Sequence, residues 1–227
     1  MQLGKTGIYV FYPPPIGGVC SNTVVIDGRE KVIVDPGLRE LWSILEKNIV
    51  EETQIKPGDF SLVIHTHAHP DHMDAGALLE EKYGVTQAMS QEEADFLDGE
   101  GRHLFGWMGL DEPAGTIGRI LEEGPLELDD KVLQLYLTPG HSPGSLCIHL
   151  PEQKVLITGD LIFAGGFGRL DLGGGDPKAL TESIKRMAAL EPVDIIIPGH
   201  GPSIVGRGQI EKNYEEIFRT LTQGGFM

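Results

Sequence analysis

The chain has 227 residues, of which 40% are hydrophobic and 23% are charged, as is ordinary for a globular protein. Its net charge of −16 disfavours a nucleic-acid-binding protein, because a negative surface repels phosphates. The length fits a single domain over residues 1–227 with a full hydrophobic core. We see no apolar run that could span a membrane and no leader segment, and we therefore expect a cytoplasmic protein.

Apolar runs between turn residues predict strands, and apolar residues that recur about every 3.6 residues predict helices. Asp27-Gly28 is typical of a hairpin turn, and Ser90 with Glu93 forms a capping box at a helix start. This alternation of strands and helices indicates an α/β or α+β protein. Strands are predicted at Ile8–Tyr12, Thr23–Ile26, Lys31–Val34 and Leu62–Ile64, and helices at Leu38–Ile49, Asp74–Tyr83, Ser90–Leu97, Asp176–Leu190 and Ile210–Leu221.

Four candidate metal ligands follow the predicted strand Leu62–Ile64. Residues 67–72 read HAHPDH and contain His67, His69, Asp71 and His72. Imidazole and carboxylate groups are preferred ligands of zinc, iron and manganese. Four such ligands on one ion would leave it little room for chemistry, so two adjacent ions fit better. His67 and His69 would then bind one ion, and Asp71 and His72 the other.

Three further candidates each follow an apolar stretch that we predict to be a strand. His141 follows KVLQLYL, Asp160 follows KVLI, and His200 follows VDIII. Three strand ends that each deliver a ligand, together with the HAHPDH motif, form a specific constellation. Its ordered motifs resemble those of the metallo-β-lactamase superfamily over most of the chain, from about Ile8 to about Pro202.

This resemblance implies a four-layer αββα sandwich with a dinuclear metal site at one edge of two sheets. It also implies catalytic roles for Asp71 and Asp160, with Asp71 orienting a metal-bridging hydroxide. We expect two divalent ions, zinc first, with iron or manganese as the alternatives. The implied ligands are His67, His69 and His141 on one ion, Asp71, His72 and His200 on the other, and Asp160 as the bridge.

A second pattern, GGFGRLDLGGGD at residues 165–176, resembles the G-R-x-D signature of two branches of the superfamily. These are the glyoxalase II-like (hydroxyacylglutathione hydrolase-like) thioesterases and the persulfide dioxygenases, and Arg169 is expected to pair with Asp171. We expect a metal-dependent hydrolase of the glyoxalase II-like branch that acts on a thioester or ester. The alternatives are a non-haem iron persulfide dioxygenase, and a lactonase or other ester hydrolase of the superfamily.

The expected partner is a small-molecule substrate, with no nucleic acid and no membrane, and self-association into a homo-oligomer stays open. Full-length glyoxalase II carries a helical tail that contacts glutathione, whereas only residues 201–227 follow His200 here, so the use of glutathione also stays open. Two cysteines, Cys20 and Cys147, do not indicate a disulfide framework.

Two segments near these motifs have more than one interpretation. The least regular stretch, residues 98–124, is rich in glycine and aromatic residues, and we expect an active-site flap there. Core packing or an oligomer contact are the alternatives. Asp35 lies in Asp-Pro-Gly, which resembles a D-x-G pattern of the superfamily that implies support for the metal site. An Asp that caps the following helix is the other interpretation.

Overall fold

A computed structural model of the protein describes residues 3, 6–12 and 21–224. The chain divides into two compact units, one of Met1–Leu121 with Glu127–Lys131 and one of Glu122–Leu126 with Val132–Met227. Each unit contains a six-stranded sheet with helices, so the predicted mixed α/β fold with two sheets is confirmed. The assignment of residues 1–227 to a single domain stays a prediction, and Cys20 lies outside the described residues.

The first unit is built on a sheet with the strand order β1-β2-β3-β4-β5-β6. Neighbouring strands are antiparallel from β1 to β3 and parallel from β3 to β6. Parallel pairing places the carboxyl ends of β3 and β4 side by side at one edge of the sheet. The elements are β1 (Ile8–Phe11), β2 (Thr23–Ile26), β3 (Lys31–Val34), α1 (Trp42–Thr53), β4 (Phe60–Ile64), α2 (Pro70–Tyr83), β5 (Thr86–Ser90), α3 (Gln91–Asp98), α4 (Arg102–Trp107) and β6 (Ile117–Leu121).

Two buried clusters hold this unit together. In the first, Trp42 of α1 and Leu79 of α2 pack with Ile33 and Val63 of the sheet. In the second, aromatic and aliphatic side chains of α3 and α4 pack with residues of the HAHPDH motif and of β5. Its fully or nearly buried members are Ala68, Met73, Met89, Phe96, Leu97 and Phe105.

The second unit is built on a sheet with the order β14-β13-β10-β9-β8-β7. Strands β10 and β13 are parallel, whereas β9 is antiparallel to both β8 and β10. The carboxyl ends of β8, β10 and β13 therefore lie at the same edge. The elements are β7 (Gly124–Glu127), β8 (Val132–Leu137), β9 (Leu146–Leu150), β10 (Val155–Gly159), β11 (Ile162–Phe163), β12 (Gly166–Phe167), α5 (Pro177–Ala188), β13 (Ile195–Pro198), β14 (Ile204–Val205) and α6 (Arg207–Gln223).

Helices α5 and α6 pack on this second sheet through a buried cluster. Ile184 of α5 and Ile217 of α6 belong to it, together with Leu156 of β10 and Ile196 of β13. The four side chains are at most 1% exposed, so this is the apolar core that fixes the strand ends of the unit. Among the described residues, no helix combines the length and the hydrophobicity that crossing a bilayer requires.

Several predicted boundaries were wrong. Helix α2 begins at Pro70 rather than Asp74, because proline is well suited to the first turn of a helix. Asp71 and His72 consequently lie in that first turn and not in a loop. Helix α1 begins at Trp42 rather than Leu38, after a short 3₁₀ turn over Arg39–Leu41.

The stretch of residues 98–124 is more regular than expected. It contains α4 and the edge strand β6, and it reaches the first residue of β7. Strand β6 escaped the sequence analysis because Gly118 and Arg119 interrupt its apolar pattern and most of its side chains are exposed. The flap over the metal site stays a prediction.

Candidate metal centre

The first unit brings four candidate ligands together. The rings of His67 and His69 lie 4.6 Å apart between centroids, and those of His67 and His72 lie 4.0 Å apart. Asp71 Oδ2 is 3.7 Å from His72 Nε2. Two ligand atoms bound tetrahedrally to one zinc ion are separated by about 3.4 Å. The Asp71–His72 spacing is close to that value and too long for a good hydrogen bond.

Asp35 orients two of these histidines. Its Oδ2 accepts hydrogen bonds from His72 Nδ1 at 2.9 Å and from the Thr66 hydroxyl at 2.7 Å. The Thr66 hydroxyl, having donated its proton to Asp35, accepts from His67 Nδ1 at 3.0 Å. Both imidazoles are thus protonated on Nδ1, which leaves Nε2 as the nitrogen with the metal-binding lone pair.

The position of Asp35 follows from the parallel pairing of β3 and β4. Val34 pairs with Ile64, so the residues just after the two strands meet, and Asp35 Oδ1 accepts the Thr66 N–H at 2.8 Å. Asp35 has a φ of +49°, which Asp tolerates better than most residues. Of the two interpretations of Asp35, support of the candidate ligands is confirmed, because its carboxylate oxygens bond Thr66 and His72. The helix-cap interpretation was wrong, since the following helices begin after Leu38 and Leu41 without a side-chain cap.

The second unit places one carboxylate between two imidazoles. Asp160 Oδ2 is 3.6 Å from His141 Nε2 and 3.5 Å from His200 Nε2. Both separations are close to the spacing of two ligands that share one ion. His141 and Asp160 are buried, whereas the His200 side chain is 31% exposed and is the most accessible of the seven candidates.

These three residues meet because of the order of the strands in the second sheet. His141 follows β8, Asp160 follows β10, and His200 follows β13, and these strands end at one edge. The Gly199 N–H donates to the Gly159 carbonyl at 2.7 Å, which joins the two parallel strands immediately before Asp160 and His200. This hydrogen bond therefore fixes the backbone positions from which the side chains of Asp160 and His200 project.

His141 is oriented by the G-R-x-D segment. Its Nδ1 donates to the Arg169 carbonyl at 2.7 Å, which leaves Nε2 towards Asp160. The predicted pairing of Arg169 with Asp171 is confirmed, with Nε–Oδ1 and Nη2–Oδ2 distances of 2.6 and 2.7 Å. Hydrogen bonds from Arg169 lower the pKa of Asp171 to about 2. This pair lies at the surface and fixes the loop whose carbonyl orients His141.

Two glycines allow the backbone to approach this ligand closely. Gly140 has a φ of +139°, and a Cβ there would collide with the backbone of Leu180 in α5. A Cβ on Gly168 would collide with the Asp160 carbonyl oxygen and lie 2.8 Å from His141 Nδ1. A side chain at either position would therefore displace a candidate ligand or the helix beside it.

The donor set fits divalent metal ions. Five imidazoles and two carboxylates are borderline-hard ligands of the kind that zinc, iron and manganese accept. In the first unit, the ligand atoms of His67 lie within 4.8 Å of those of His69 and His72. The histidines that we did not assign to metal lie elsewhere: His65 and His149 are buried and His103 is exposed.

The chain matches a known protein family over most of its length. The family model described as the metallo-beta-lactamase superfamily matches residues 16–200, which contain all seven candidate ligands. The chain belongs to the metallo-β-lactamase superfamily. The resemblance drawn from the motifs is thereby confirmed, and the superfamily accounts for a metallo-hydrolase with a His/Asp metal cluster.

Individual members of the superfamily are similar over most of the chain. A probable metallo-hydrolase of Methanocaldococcus jannaschii, MJ0888, is 37% identical over 191 residues, covering 81% of this chain and 89% of that protein. The hydroxyacylglutathione hydrolase GloC of Haemophilus influenzae is 32% identical over 179 residues, covering 77% and 82%. The crystal structure of TTHA1623 in a di-iron-bound form is 32% identical, with a TM-score of 0.74, covering 89% and 98%.

The sequence analysis missed two residues that support the candidate ligands. The Thr66 hydroxyl bonds both Asp35 and His67, and it thereby links the carboxylate to that imidazole. Glu93 accepts a backbone N–H of the HAHPDH motif. Thr66 immediately precedes the motif, and its small polar side chain beside a candidate ligand was a usable signal. Glu93 was assigned only to the start of its own helix, and nothing local indicated a partner 25 residues away.

Proposed function

We propose that the protein is a metal-dependent hydrolase of the glyoxalase II-like kind, with a small-molecule thioester as its substrate. The observation that carries this proposal is the position of Asp160, whose Oδ2 lies 3.6 and 3.5 Å from the Nε2 atoms of two histidines. A carboxylate oxygen in that position could be shared by two divalent ions, and a pair of ions would supply the chemistry of metal-assisted hydrolysis. The metal ligands proposed are His67, His69, Asp71, His72, His141, Asp160 and His200.

Two divalent cations held by these residues would supply a strongly acidified water and a Lewis acid for the substrate carbonyl. The protein residues do the rest. Asp35 and the Arg169 carbonyl keep the imidazoles in the tautomer that presents Nε2. Asp71, which is 7% exposed, is the proposed acceptor for a proton of the attacking water.

Charge supports a substrate with a developing negative charge. Asp71 and Asp160 contribute two negative charges against the four positive charges of two divalent ions. With both ions bound, the remaining positive charge would favour the negative charge that develops on a carbonyl oxygen and on a departing thiolate. Hydrolysis of a thioester develops negative charge on the carbonyl oxygen and on the leaving thiolate. The leaving group of an ordinary ester is a more basic alkoxide.

The relatives support the same reaction class. GloC of Haemophilus influenzae is named a hydroxyacylglutathione hydrolase, and it shares 32% identity with this chain. We propose zinc as the ion, and the di-iron form of TTHA1623 makes iron the principal alternative. The thiol part of the substrate is proposed only as a class, with glutathione as the first candidate to be measured.

The test uses the full chain, loaded with zinc or with iron and assayed for thioester cleavage in air and under nitrogen. S-lactoylglutathione and acetyl-coenzyme A serve as thioesters of two different thiols. Asp71→Asn should lower turnover by at least about 100-fold, since a ligand and proton acceptor is lost. Asp74→Asn is the matched control on α2, because Asp74 bonds the Arg39 N–H and not a candidate ligand.

Cleavage that persists under nitrogen, and that Asp71→Asn abolishes while Asp74→Asn does not, is the expected result. Oxygen uptake on glutathione persulfide without cleavage of either thioester would make the protein a persulfide dioxygenase instead. Hydrolysis of lactones or simple esters alone would keep the hydrolase but reject the thioester. Metal analysis of the freshly purified protein gives the ion and the number bound per chain.

A further inference from the structure

Two side chains of helix α3 contact the HAHPDH motif. The Ser90 hydroxyl accepts the N–H of Glu93 at 3.2 Å and thereby caps the helix. Glu93 itself is fully buried, and its Oε2 accepts the N–H of Ala68 at 2.8 Å. Ala68, which is also fully buried, stands between His67 and His69. The helix therefore holds the backbone between two of the candidate ligands.

A second side chain of the same helix reaches the same place. Phe96 lies three residues after Glu93, on the same helix face. Its ring is 6.4 Å from the ring of His69, at an interplanar angle of 62°. Edge-to-face contact at this distance is favourable and restricts the imidazole. Two contacts from one face of α3 therefore bear on the motif, one on its backbone and one on a ligand ring.

The hydrogen bond to Ala68 has a specific geometric consequence. The Ala68 N–H belongs to the peptide unit that joins His67 to Ala68, and rotation of that unit would move the side chains on both sides. Metal–ligand distances tolerate deviations of only about 0.2 Å. A motif held at this peptide keeps two imidazoles in place before an ion binds, which lowers the cost of ordering them.

We propose that Glu93 is a positioning residue for the metal centre, whose carboxylate fixes the Ala68 peptide so that His67 and His69 reach one ion together. This inference rests on the metal centre of the proposed function. A glutamate in an S-x-x-E pattern usually serves its own helix start. Here one of its oxygens serves a segment 25 residues away in the sequence.

The experiment measures zinc affinity of the full chain after metal removal, by competition with a chromophoric chelator. Glu93→Met keeps the size of the side chain but removes the acceptor, and the zinc Kd should rise about 10–100-fold. Glu93→Gln keeps an acceptor oxygen, and the Kd should stay within about threefold of the wild type. Glu92→Gln is the matched control, because Glu92 is the exposed neighbour on the same helix. The visible spectrum of the cobalt-loaded protein should change in Glu93→Met alone.

Other outcomes would overturn the proposal. A zinc affinity that is unchanged in Glu93→Met, with only a lower unfolding midpoint, would make Glu93 a stability residue. An unfolded Met variant, or equal losses of affinity in the Met and Gln variants, would also exclude a positioning role through the acceptor oxygen. If the wild-type protein binds no metal, the metal centre itself is refuted, and the role of Glu93 with it.

Discussion

Replacing Asp35 by Asn tests how the candidate ligands are oriented. The Asp35 carboxylate, 2% exposed, accepts three hydrogen bonds, from the Thr66 N–H, the Thr66 hydroxyl and His72 Nδ1. Asn has the same shape, tolerates the φ of +49° and keeps one acceptor oxygen. Its NH₂ group, however, can only donate. If the remaining oxygen still accepts from the Thr66 N–H, the NH₂ group faces the Thr66 hydroxyl and His72 Nδ1, which both donated to the carboxylate.

The magnitude follows from those two bonds. A hydrogen bond to a charged group contributes about 1.5–3 kcal/mol, and part of this is recovered if the Thr66 hydroxyl turns and accepts from the Asn. We therefore expect the metal-free protein to lose about 2–4 kcal/mol of unfolding free energy. His72 can accept from the Asn only by moving its proton to Nε2, the nitrogen that faces the proposed ion. Zinc affinity should fall about 10–100-fold as a result.

The assay combines urea unfolding of the metal-free protein with zinc binding by chelator competition. Asp74→Asn serves as the control, since it changes a carboxylate of α2 that accepts from the Arg39 N–H. It should leave zinc affinity unchanged. An Asp35→Asn variant that binds zinc within about threefold of the wild type would refute the argument that Asp35 sets the histidine tautomers.

Two further perturbations test other parts of the molecule. Asp160→Ala removes the oxygen that lies between His141 and His200. The folded variant should therefore retain fewer than two metal ions per chain, and its turnover should fall more than about 100-fold. Two ions per chain in metal analysis of the variant would contradict the bridging role. His149 donates to the Pro192 carbonyl at 3.0 Å, and burial lowers its pKa from 6.5. As the pH falls through about 6.5, the unfolded chain therefore binds more protons than the folded protein, and the free energy of unfolding should decrease there. His149→Gln should flatten this decrease in urea midpoints of the metal-free protein between pH 7.5 and 5.5, and an unchanged slope would assign the effect to other groups.

The sequence by itself determined which residues are the candidate ligands and roughly where they lie along the chain. Four of them lie within the six residues of HAHPDH, and so short a segment cannot carry them far apart in space. The others, His141, Asp160 and His200, each follow an apolar run, and apolar runs of that length become strands because their side chains must be buried. Identification of the superfamily depended on these same local patterns.

Helix boundaries near the motif depended on finer local physics. Pro70 starts α2 because its missing N–H costs nothing in the first turn, although the apolar periodicity begins only later. The consequence is functional, since Asp71 and His72 are held by a helix rather than by a loop. The edge strand β6 was not predicted because exposed strands lack the alternation that identifies them.

Only the tertiary structure decided what orients the ligands. Asp35 contacts His72 across 37 residues, and the Arg169 carbonyl contacts His141 across 28. The first contact exists because β3 pairs in parallel with β4, and nothing within β3 specifies that neighbour. Glu93 reaches Ala68 because α3 begins directly after β5, the strand that pairs in parallel with β4, and the motif follows β4. Ligand identity is a local property of the chain, whereas the tautomer and direction of each ligand depend on partners that chain order does not reveal, since strand pairing is selected by the packing of the whole sheet.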